Sequence, residues 1–214
     1  MPADRRQSVA DYGALSAGYD RRTRLTDAVR IEAVAALALG PGETVVDVAC
    51  GTGFSFAPVL AAIGARGRLL AFDHSPELLA LARRRVAEAG WTNVTLREAA
   101  AESVRLDAPA DALLFSYAHD VLQSAAALDN LLAQAAPGAR VALCGSLLWP
   151  AWAWPVNAWL RARHRRYITN MENFDRPWAG IAPRLRDFRV ERRGPGWRYL
   201  ATGRCAGGCQ RSAA

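Results

Sequence analysis

The residues of this chain best suited to chemistry lie in a short loop, segment 47–53, which reads DVACGTG. A β-branched run, Thr44–Val48, leads into it, and an apolar segment with helical spacing, Phe54–Gly64, follows it. Glycines at such a junction let the backbone pass close to a ligand, and the start of the helix offers free amides and the positive end of its dipole. The pattern therefore predicts a site for a nucleotide-like cofactor at the carboxyl end of a strand.

Two familiar kinds of nucleotide-binding loop fit this segment poorly. A P-loop needs a lysine after its second glycine, whereas all 27 basic residues of this chain are arginine. The dinucleotide fingerprint G-x-G-x-x-G would fall on Ala49, Gly51 and Phe54, of which only Gly51 is a glycine. The remaining pattern is an acidic residue, Asp47, followed by small residues at every second position.

A second acidic residue, Asp73, stands at the end of the next predicted strand, about 20 residues beyond the loop. A carboxylate in this position can accept hydrogen bonds from both hydroxyls of a ribose. The alternative is that Asp73 caps the helix that begins at Pro76, a role for which Ser75 competes.

Strand and helix patterns alternate along most of the chain, which predicts an α/β fold. We expect a doubly wound, mostly parallel seven-stranded sheet with helices on both faces and a C-terminal antiparallel hairpin. The predicted strands are Thr44–Val48, Arg68–Phe72, Asn93–Arg97, Ala112–Tyr117 and Arg140–Cys144, and the hairpin is formed by Phe188–Arg193 and Trp197–Arg204. The predicted helices are Leu25–Leu39, Phe54–Gly64, Pro76–Ala89 and Val121–Ala135.

The length of 214 residues predicts a single domain, residues 1–214. Residues 1–40 are expected to form N-terminal cap helices, and residues 149–186 an inserted substrate or lid segment. Within that insert, one helix is predicted between Pro155 and Tyr167 and another from Pro177 to Leu185.

The spacing Asp47-x-Ala49-x-Gly51-x-Gly53 resembles the first motif of class I (seven-stranded, Rossmann-like) S-adenosylmethionine-dependent methyltransferases, with alanine in place of the first glycine. Among these enzymes, the chain is most similar to small bacterial methyltransferases of the phospholipid or quinone type. The resemblance implies S-adenosyl-L-methionine as cofactor, S-adenosyl-L-homocysteine as product and no metal site.

The same resemblance implies a set of cofactor-binding positions. The loop and Asp47 would meet the methionine end, which an N-terminal tyrosine, Tyr19 in preference to Tyr12, would cover. Asp73 would bind the ribose with His74 beside the adenine, and backbone amides of Ala100 or Ala101 would read the adenine edge. The predicted cofactor-binding residues are Tyr19, Asp47, Ala49, Cys50, Gly51, Thr52, Gly53, Asp73, His74, Ala100, Ala101 and Ser116.

The fourth strand ends in the sequence Phe115-Ser116-Tyr117-Ala118-His119, which should project beside the reactive methyl group. His119 is the predicted general base and Tyr117 the residue that orients a substrate or covers the cofactor. A structural role for His119, at the start of the following helix, is the alternative.

The acceptor is expected to be a small molecule or a lipid headgroup methylated on N or O. Nucleic acid is disfavoured because the [DN]-P-P-[FY] motif of amino-methyltransferases acting on DNA and RNA is replaced here by Phe115–Ala118. Two alternatives stay open: transfer of the 3-amino-3-carboxypropyl group of the same cofactor, and a non-catalytic cofactor-binding protein.

The net charge of +7 does not by itself indicate a partner, because the exclusive use of arginine points to compositional bias. No apolar run is long enough to span a bilayer, and residues 1–7 lack the pattern of a secretory signal, so a cytoplasmic protein is expected. Tryptophans and arginines in segment 149–167 suggest peripheral membrane contact; a lid or a dimer contact are the alternatives.

Overall fold

The computed structural model of the chain describes residues 27–148, 153–154, 157–158, 173–194 and 197–206. Within these residues a seven-stranded sheet forms the centre of the fold. Its strands are β1 (Thr44–Val48), β2 (Arg68–Asp73), β3 (Val94–Glu98), β4 (Ala110–Ser116), β5 (Ala135–Ser146), β6 (Leu185–Arg193) and β7 (Arg198–Cys205).

The strands lie in the order β3-β2-β1-β4-β5-β7-β6. The first five run parallel to one another, and β7 is antiparallel to both of its neighbours. This arrangement confirms the predicted doubly wound sheet with its C-terminal antiparallel hairpin. Because β1 to β5 are parallel, their carboxyl ends meet at one edge of the sheet, which we call the carboxyl edge.

Five helices with described bounds accompany the sheet: α1 (Asp27–Ala36), α2 (Phe56–Ile63), α3 (Pro76–Ala89), α4 (His119–Leu122) and α5 (Ala125–Leu132). Local chemistry sets their ends. The Ser75 hydroxyl caps the start of α3 by accepting a hydrogen bond from the Leu78 amide at 3.3 Å. Gly64 and Gly90 end α2 and α3 with positive φ angles of 65° and 67°, a conformation that glycine adopts without strain.

Two apolar clusters cover the two faces of the sheet. One contains residues of α1, α2 and α3 together with Val45, Cys144 and Leu200; we call this side of the sheet the α1 face. The other contains residues of α4 and α5 together with Val46 and Phe115. Alternate residues of a strand point to opposite faces, so Asp47, two residues after Val45, lies on the α1 face.

Two predicted helices are wrong. The segment expected to be one helix from Val121 to Ala135 is two helices, because the Ser124 hydroxyl accepts from the Ala127 amide at 3.2 Å and starts α5 as a new element. Residues 133–135 then leave the helix, and Ala135 is already the first residue of β5.

The helix expected from Pro177 to Leu185 is replaced by a short 3-10 turn, Ala182–Arg184. Leu185 begins β6 instead, where it pairs with Cys205 of β7. The helix predicted between Pro155 and Tyr167 lies mostly outside the described residues.

Candidate active site

The glycine loop at the end of β1 bends through a series of left-handed backbone positions. Ala49, Gly51 and Gly53 have φ angles of 52°, 55° and 78°. Gly53 has no room for a side chain, since a Cβ atom there would lie 2.4 Å from the ring of Phe56. Ala49 adopts a conformation that costs a non-glycine residue roughly 1–2 kcal/mol, which explains why the resembled motif has glycine here.

The other loop residues hold the turn in place. The Cys50 amide donates to the Phe72 carbonyl at 2.9 Å, and this bond ties the loop to the end of β2. Burial raises the pKa of the Cys50 thiol well above its usual range, so this thiol stays protonated. Thr52 is buried beneath the loop.

Asp73 is a buried carboxylate at the end of β2, held by two backbone amides. Its Oδ2 accepts from the Gly51 amide at 2.8 Å and its Oδ1 from the Ser75 amide at 2.9 Å. Ser75, and not Asp73, provides the side chain that caps α3, so the capping alternative for Asp73 does not hold. A carboxylate oxygen can accept more than one hydrogen bond, so both oxygens of Asp73 keep capacity for a ligand. His74 lies beside it, with Nδ1 at 3.5 Å from Oδ1 of Asp73.

Asp47 is only 1% exposed, and neither of its carboxylate oxygens has a hydrogen-bond partner among the described residues. Burial raises the pKa of Asp47 to about 7, the nearby Arg30 opposes that rise, and the charge of Asp73 adds to it. A buried carboxyl without donors is costly unless a ligand supplies them. The site is therefore complementary to a group that carries positive charge and N–H donors.

Arg30 of α1 is a member of this site that the sequence analysis missed. It is 7% exposed, and its guanidinium carbon lies 5.2 Å from the ring centre of Phe54 and 4.8 Å from that of Tyr117. Its Nε has no hydrogen-bond partner in the described part of the chain. Arg30 acts electrostatically on Asp47, but no ion pair within 4.0 Å joins the two side chains. The site thus holds two opposite charges that are separated from each other.

The end of β3 lies next to Asp73. The Ala99 amide donates to the Asp73 carbonyl at 3.0 Å, which brings Ala100 and Ala101 to the side of the loop away from β4. Ala101 is buried, and its carbonyl accepts from Asn130 at 2.9 Å. The predicted adenine-side residues are therefore neighbours of the predicted ribose-binding residue.

The end of β4 contributes Ser116 and Tyr117. The Ser116 hydroxyl accepts a weak hydrogen bond from the Cys144 thiol at 3.6 Å. Tyr117 has a positive φ of 58°, rare for a bulky residue, and its amide donates to the Cys144 carbonyl at 2.8 Å. Such strain commonly marks a functional site, and here it places the tyrosine ring against Arg30.

His119 is the first residue of α4 and is buried, with its ring 4.7 Å from that of Phe174 at an angle of 46°. The segment that carries Phe174 is fixed to α4 by Gln123, whose amide donates to the Pro177 carbonyl at 3.1 Å. Asn173 in turn donates to Gln123 at 3.0 Å. Residues 173–177, which belong to the predicted insert, therefore lie at the carboxyl end of β4. Tyr19 lies outside the described residues.

Residues 45–138 match a family of methyltransferase domains. Among known proteins, the chain is 34% identical over 145 residues to a demethylmenaquinone methyltransferase of Clavibacter sepedonicus, covering 64% of this chain and 57% of that protein. A second relative, the ribosomal RNA small subunit methyltransferase H of Chromobacterium violaceum, is 43% identical over 63 residues, covering 29% of this chain and 20% of that protein. A SAM-dependent O-methyltransferase of Thermotoga maritima has a similar structure, with a TM-score of 0.60 at 14% identity over 84% of this chain and 64% of that one.

The sheet order, the loop and these similarities are those of methyltransferase domains of class I, the class whose cofactor is S-adenosylmethionine. The resemblance inferred from segment 47–53 is thereby confirmed. The chain spans less than two thirds of the length of either curated relative, 57% of the first and 20% of the second.

No helix in the described part of the chain has the length and apolar character needed to cross a bilayer. Across the same residues, no group of three or more His, Cys, Asp or Glu side chains is arranged to hold a metal ion.

Proposed function

We propose that this chain transfers a methyl group from S-adenosylmethionine to a nitrogen or oxygen atom of a small-molecule or lipid-like acceptor. The observation that carries the proposal is the pair of buried carboxylates, Asp47 and Asp73, beside a loop with a left-handed backbone. When bound, this cofactor supplies an electrophilic methyl group on a sulfonium sulfur. The chain's own residues then have to hold the cofactor, exclude water and align the acceptor.

Asp73 is suited to the ribose. Its two oxygens are aimed by the amides of Gly51 and Ser75, so a pair of vicinal hydroxyls can bind them without a change of rotamer. Next to it, the backbone of Ala100 and Ala101 would read the adenine edge, and His74 would lie along the ring. The class often has an acidic side chain at this contact. Alanine has no such group, so the contact would be made by the backbone here.

Asp47 and Arg30 are suited to the amino-acid end. The methionine moiety carries an ammonium and a carboxylate on one carbon, and the site offers a buried carboxylate and a buried guanidinium that do not pair with each other. We assign the ammonium to Asp47 and the carboxylate to Arg30, with the loop amides near Gly51 as additional donors. The rings of Phe54 and Tyr117 restrict the guanidinium to this position.

Ser116, Tyr117 and His119 would complete the site on the acceptor side. Tyr117, whose ring contacts Arg30, would separate Arg30 from the acceptor, and Ser116 is the last residue of β4. An acceptor hydroxyl must lose its proton as the new bond forms, and an ammonium must lose one beforehand to free its electron pair; the imidazole of His119 would take that proton. Its contact with Phe174 would fix the orientation of the ring.

A small acceptor is favoured over a nucleic acid. The relative that matches over the larger part of this chain is named for demethylmenaquinone, whereas the relative named for ribosomal RNA matches over 63 residues. The sequence Phe115–Ala118 also lacks the proline pair typical of enzymes that methylate nucleobase amines.

The test is to incubate the chain with methyl-tritiated S-adenosylmethionine and a bacterial extract divided into lipid, aqueous small-molecule and RNA fractions. We expect label in a lipid or small-molecule fraction, S-adenosylhomocysteine as the nucleoside product, and loss of both in Asp73→Asn. Asp175→Asn, a change at an exposed loop carboxylate, should keep full activity.

Each other outcome contradicts a distinct part of the proposal. Label in RNA contradicts the acceptor class. Methylthioadenosine as the product contradicts methyl transfer in favour of aminocarboxypropyl transfer. Absence of any product contradicts the enzymatic role.

A further inference from the structure

Trp197 and Arg198 lie where β7 begins, at the carboxyl edge of the sheet. Arg198 pairs in register with Ser146, the last residue of β5. The Leu147 amide donates to the Trp197 carbonyl at 2.7 Å, which fixes the start of β7 beside the end of β5. Because β7 is antiparallel to β5, its first residue lies at the edge where the parallel strands carry the proposed active site.

The side chain of Arg198 is directed to the α1 face. Leu200 and its register partner Cys144 belong to the cluster on that face. Arg198 lies two residues before Leu200 in β7, and Ser146 lies two residues after Cys144 in β5. Residues two apart in a strand share a face. Arg198 is therefore on the same face as Asp47 and Arg30.

The guanidinium of Arg198 is positioned by an aromatic ring, and no carboxylate among the described residues forms an ion pair with it. Its central carbon lies 3.9 Å from the centre of the Trp197 ring. Its Nε is buried and has no hydrogen-bond partner in the part of the chain that the structure describes. The cross-strand neighbour Arg193 differs, since Glu32 at 2.6 Å and Glu191 at 2.7 Å both bind it.

Arg198 is too far from Asp47 to serve the same end of the cofactor. In the strand order, β4 and β5 lie between β1 and β7. Three strand spacings separate β1 from β7, roughly 14 Å at the usual distance between neighbouring strands. Arg30, which contacts Tyr117 at the end of β4, already serves the nearer position. Under the proposed function, an acceptor at the end of β4 would have Arg198 on the side away from Asp47.

We propose that Arg198, seated on Trp197, binds an anionic oxygen group of the acceptor, either a carboxylate or a phosphate. This inference rests on the proposed function and specifies its substrate class as acidic small molecules. A guanidinium offers paired N–H donors in one plane, which match two oxygens of such a group. The tryptophan face holds the cation in one orientation and removes part of its hydration, so less conformational freedom is lost when the anion binds.

The test uses three probes that share one ring system: 2-naphthoate, 2-naphthyl phosphate and the neutral 2-naphthamide. Each is titrated by calorimetry into the full chain saturated with S-adenosylhomocysteine. We expect at least one anion to bind about tenfold or more tightly than the amide, the effect of one charge-assisted contact. The anion that binds more tightly distinguishes the carboxylate from the phosphate.

Arg198→Met, which keeps the apolar stem on Trp197, should bring the anion and the amide to within about twofold of each other. Arg198→Lys should retain part of the preference. The control Arg189→Met, an exposed position on β6, should behave like the wild type. The affinity for S-adenosylhomocysteine should be the same in all four proteins.

The inference is overturned if the wild type binds none of the probes, if it does not prefer an anion, or if Arg198→Met keeps the preference. The inference is also overturned if Arg198→Met loses as much affinity for S-adenosylhomocysteine as it loses for the anion, because Arg198 would then bind the cofactor. Failure of the wild type to bind S-adenosylhomocysteine in the first titration contradicts the proposed function itself and is seen before any probe is added.

Discussion

The buried carboxyl of Asp47 should make the stability of the cofactor-free chain fall as the pH rises from 5 to 8. Burial, which outweighs the opposing effect of Arg30, raises the pKa of Asp47 to about 7, against an ordinary value of 3.8. Between these two values the folded chain binds a proton that the unfolded chain has released, so folding is favoured at low pH and loses that advantage as the pH passes through about 7. The two pH units from 5 to 7 correspond to about 3 kcal/mol, since each unit is worth about 1.4 kcal/mol.

Urea denaturation at pH 5 and pH 8 measures this difference when the wild type is compared with Asp47→Asn, which cannot titrate. The wild type should lose about 3 kcal/mol more than Asp47→Asn does between the two pH values. Asp175→Asn, at an exposed loop position, should retain the wild-type dependence. Parallel pH profiles for the wild type and Asp47→Asn would refute the assignment of a raised pKa to this carboxyl.

Three further predictions concern the loop, α1 and the base. Ala49→Gly should leave the free energy of unfolding unchanged or raise it by about 0.5 kcal/mol, because glycine adopts the positive φ of this position without strain. The control Ala80→Gly, on the exposed face of α3, should lower the free energy of unfolding by about 1 kcal/mol. If urea denaturation shows the same loss for both variants, Ala49 is not strained. Arg30→Gln should weaken S-adenosylmethionine binding about tenfold in calorimetry but leave adenosine binding unchanged, and an equal loss for both ligands would contradict a role at the carboxylate. His119→Gln should lower kcat about a hundredfold with unchanged S-adenosylhomocysteine affinity, while full activity in His119→Phe would show that the ring only packs on Phe174.

The parts of the fold that the sequence predicts well are those set by local pattern. The β-branched run of β1 and the glycines that follow it need no distant partner to be recognised, and α3 begins and ends where Pro76 and Gly90 stand. The alternation of strands and helices then defines the parallel part of the sheet, and the motif adds the class of cofactor.

Features that depend on tertiary contacts are harder to predict from the sequence. The break before α5 depends on whether Ser124 lies inside a helix or caps one, and both are compatible with the apolar spacing around it. Leu185 is apolar in a helix or a strand, and its pairing with Cys205 decides between them.

Arg30 was missed for a similar reason. In the sequence it is one of many arginines, on a segment with ordinary helical spacing, and nothing near it in the chain marks it as functional. Only the fold brings it between Phe54 and Tyr117 and within electrostatic reach of Asp47. The arginine-rich composition made Arg30 harder to recognise, because an excess of arginine makes each single arginine less informative.

The central claim, that Asp73 and the loop at the end of β1 hold S-adenosylmethionine, is tested most directly by calorimetric titration of this cofactor into the wild type and Asp73→Asn. We predict one site in the wild type and at least about thirtyfold weaker binding in the folded variant, because charge-assisted hydrogen bonds to the ribose are lost. Absence of binding by the wild type at about millimolar cofactor, or equal affinity in the two proteins, would contradict the account.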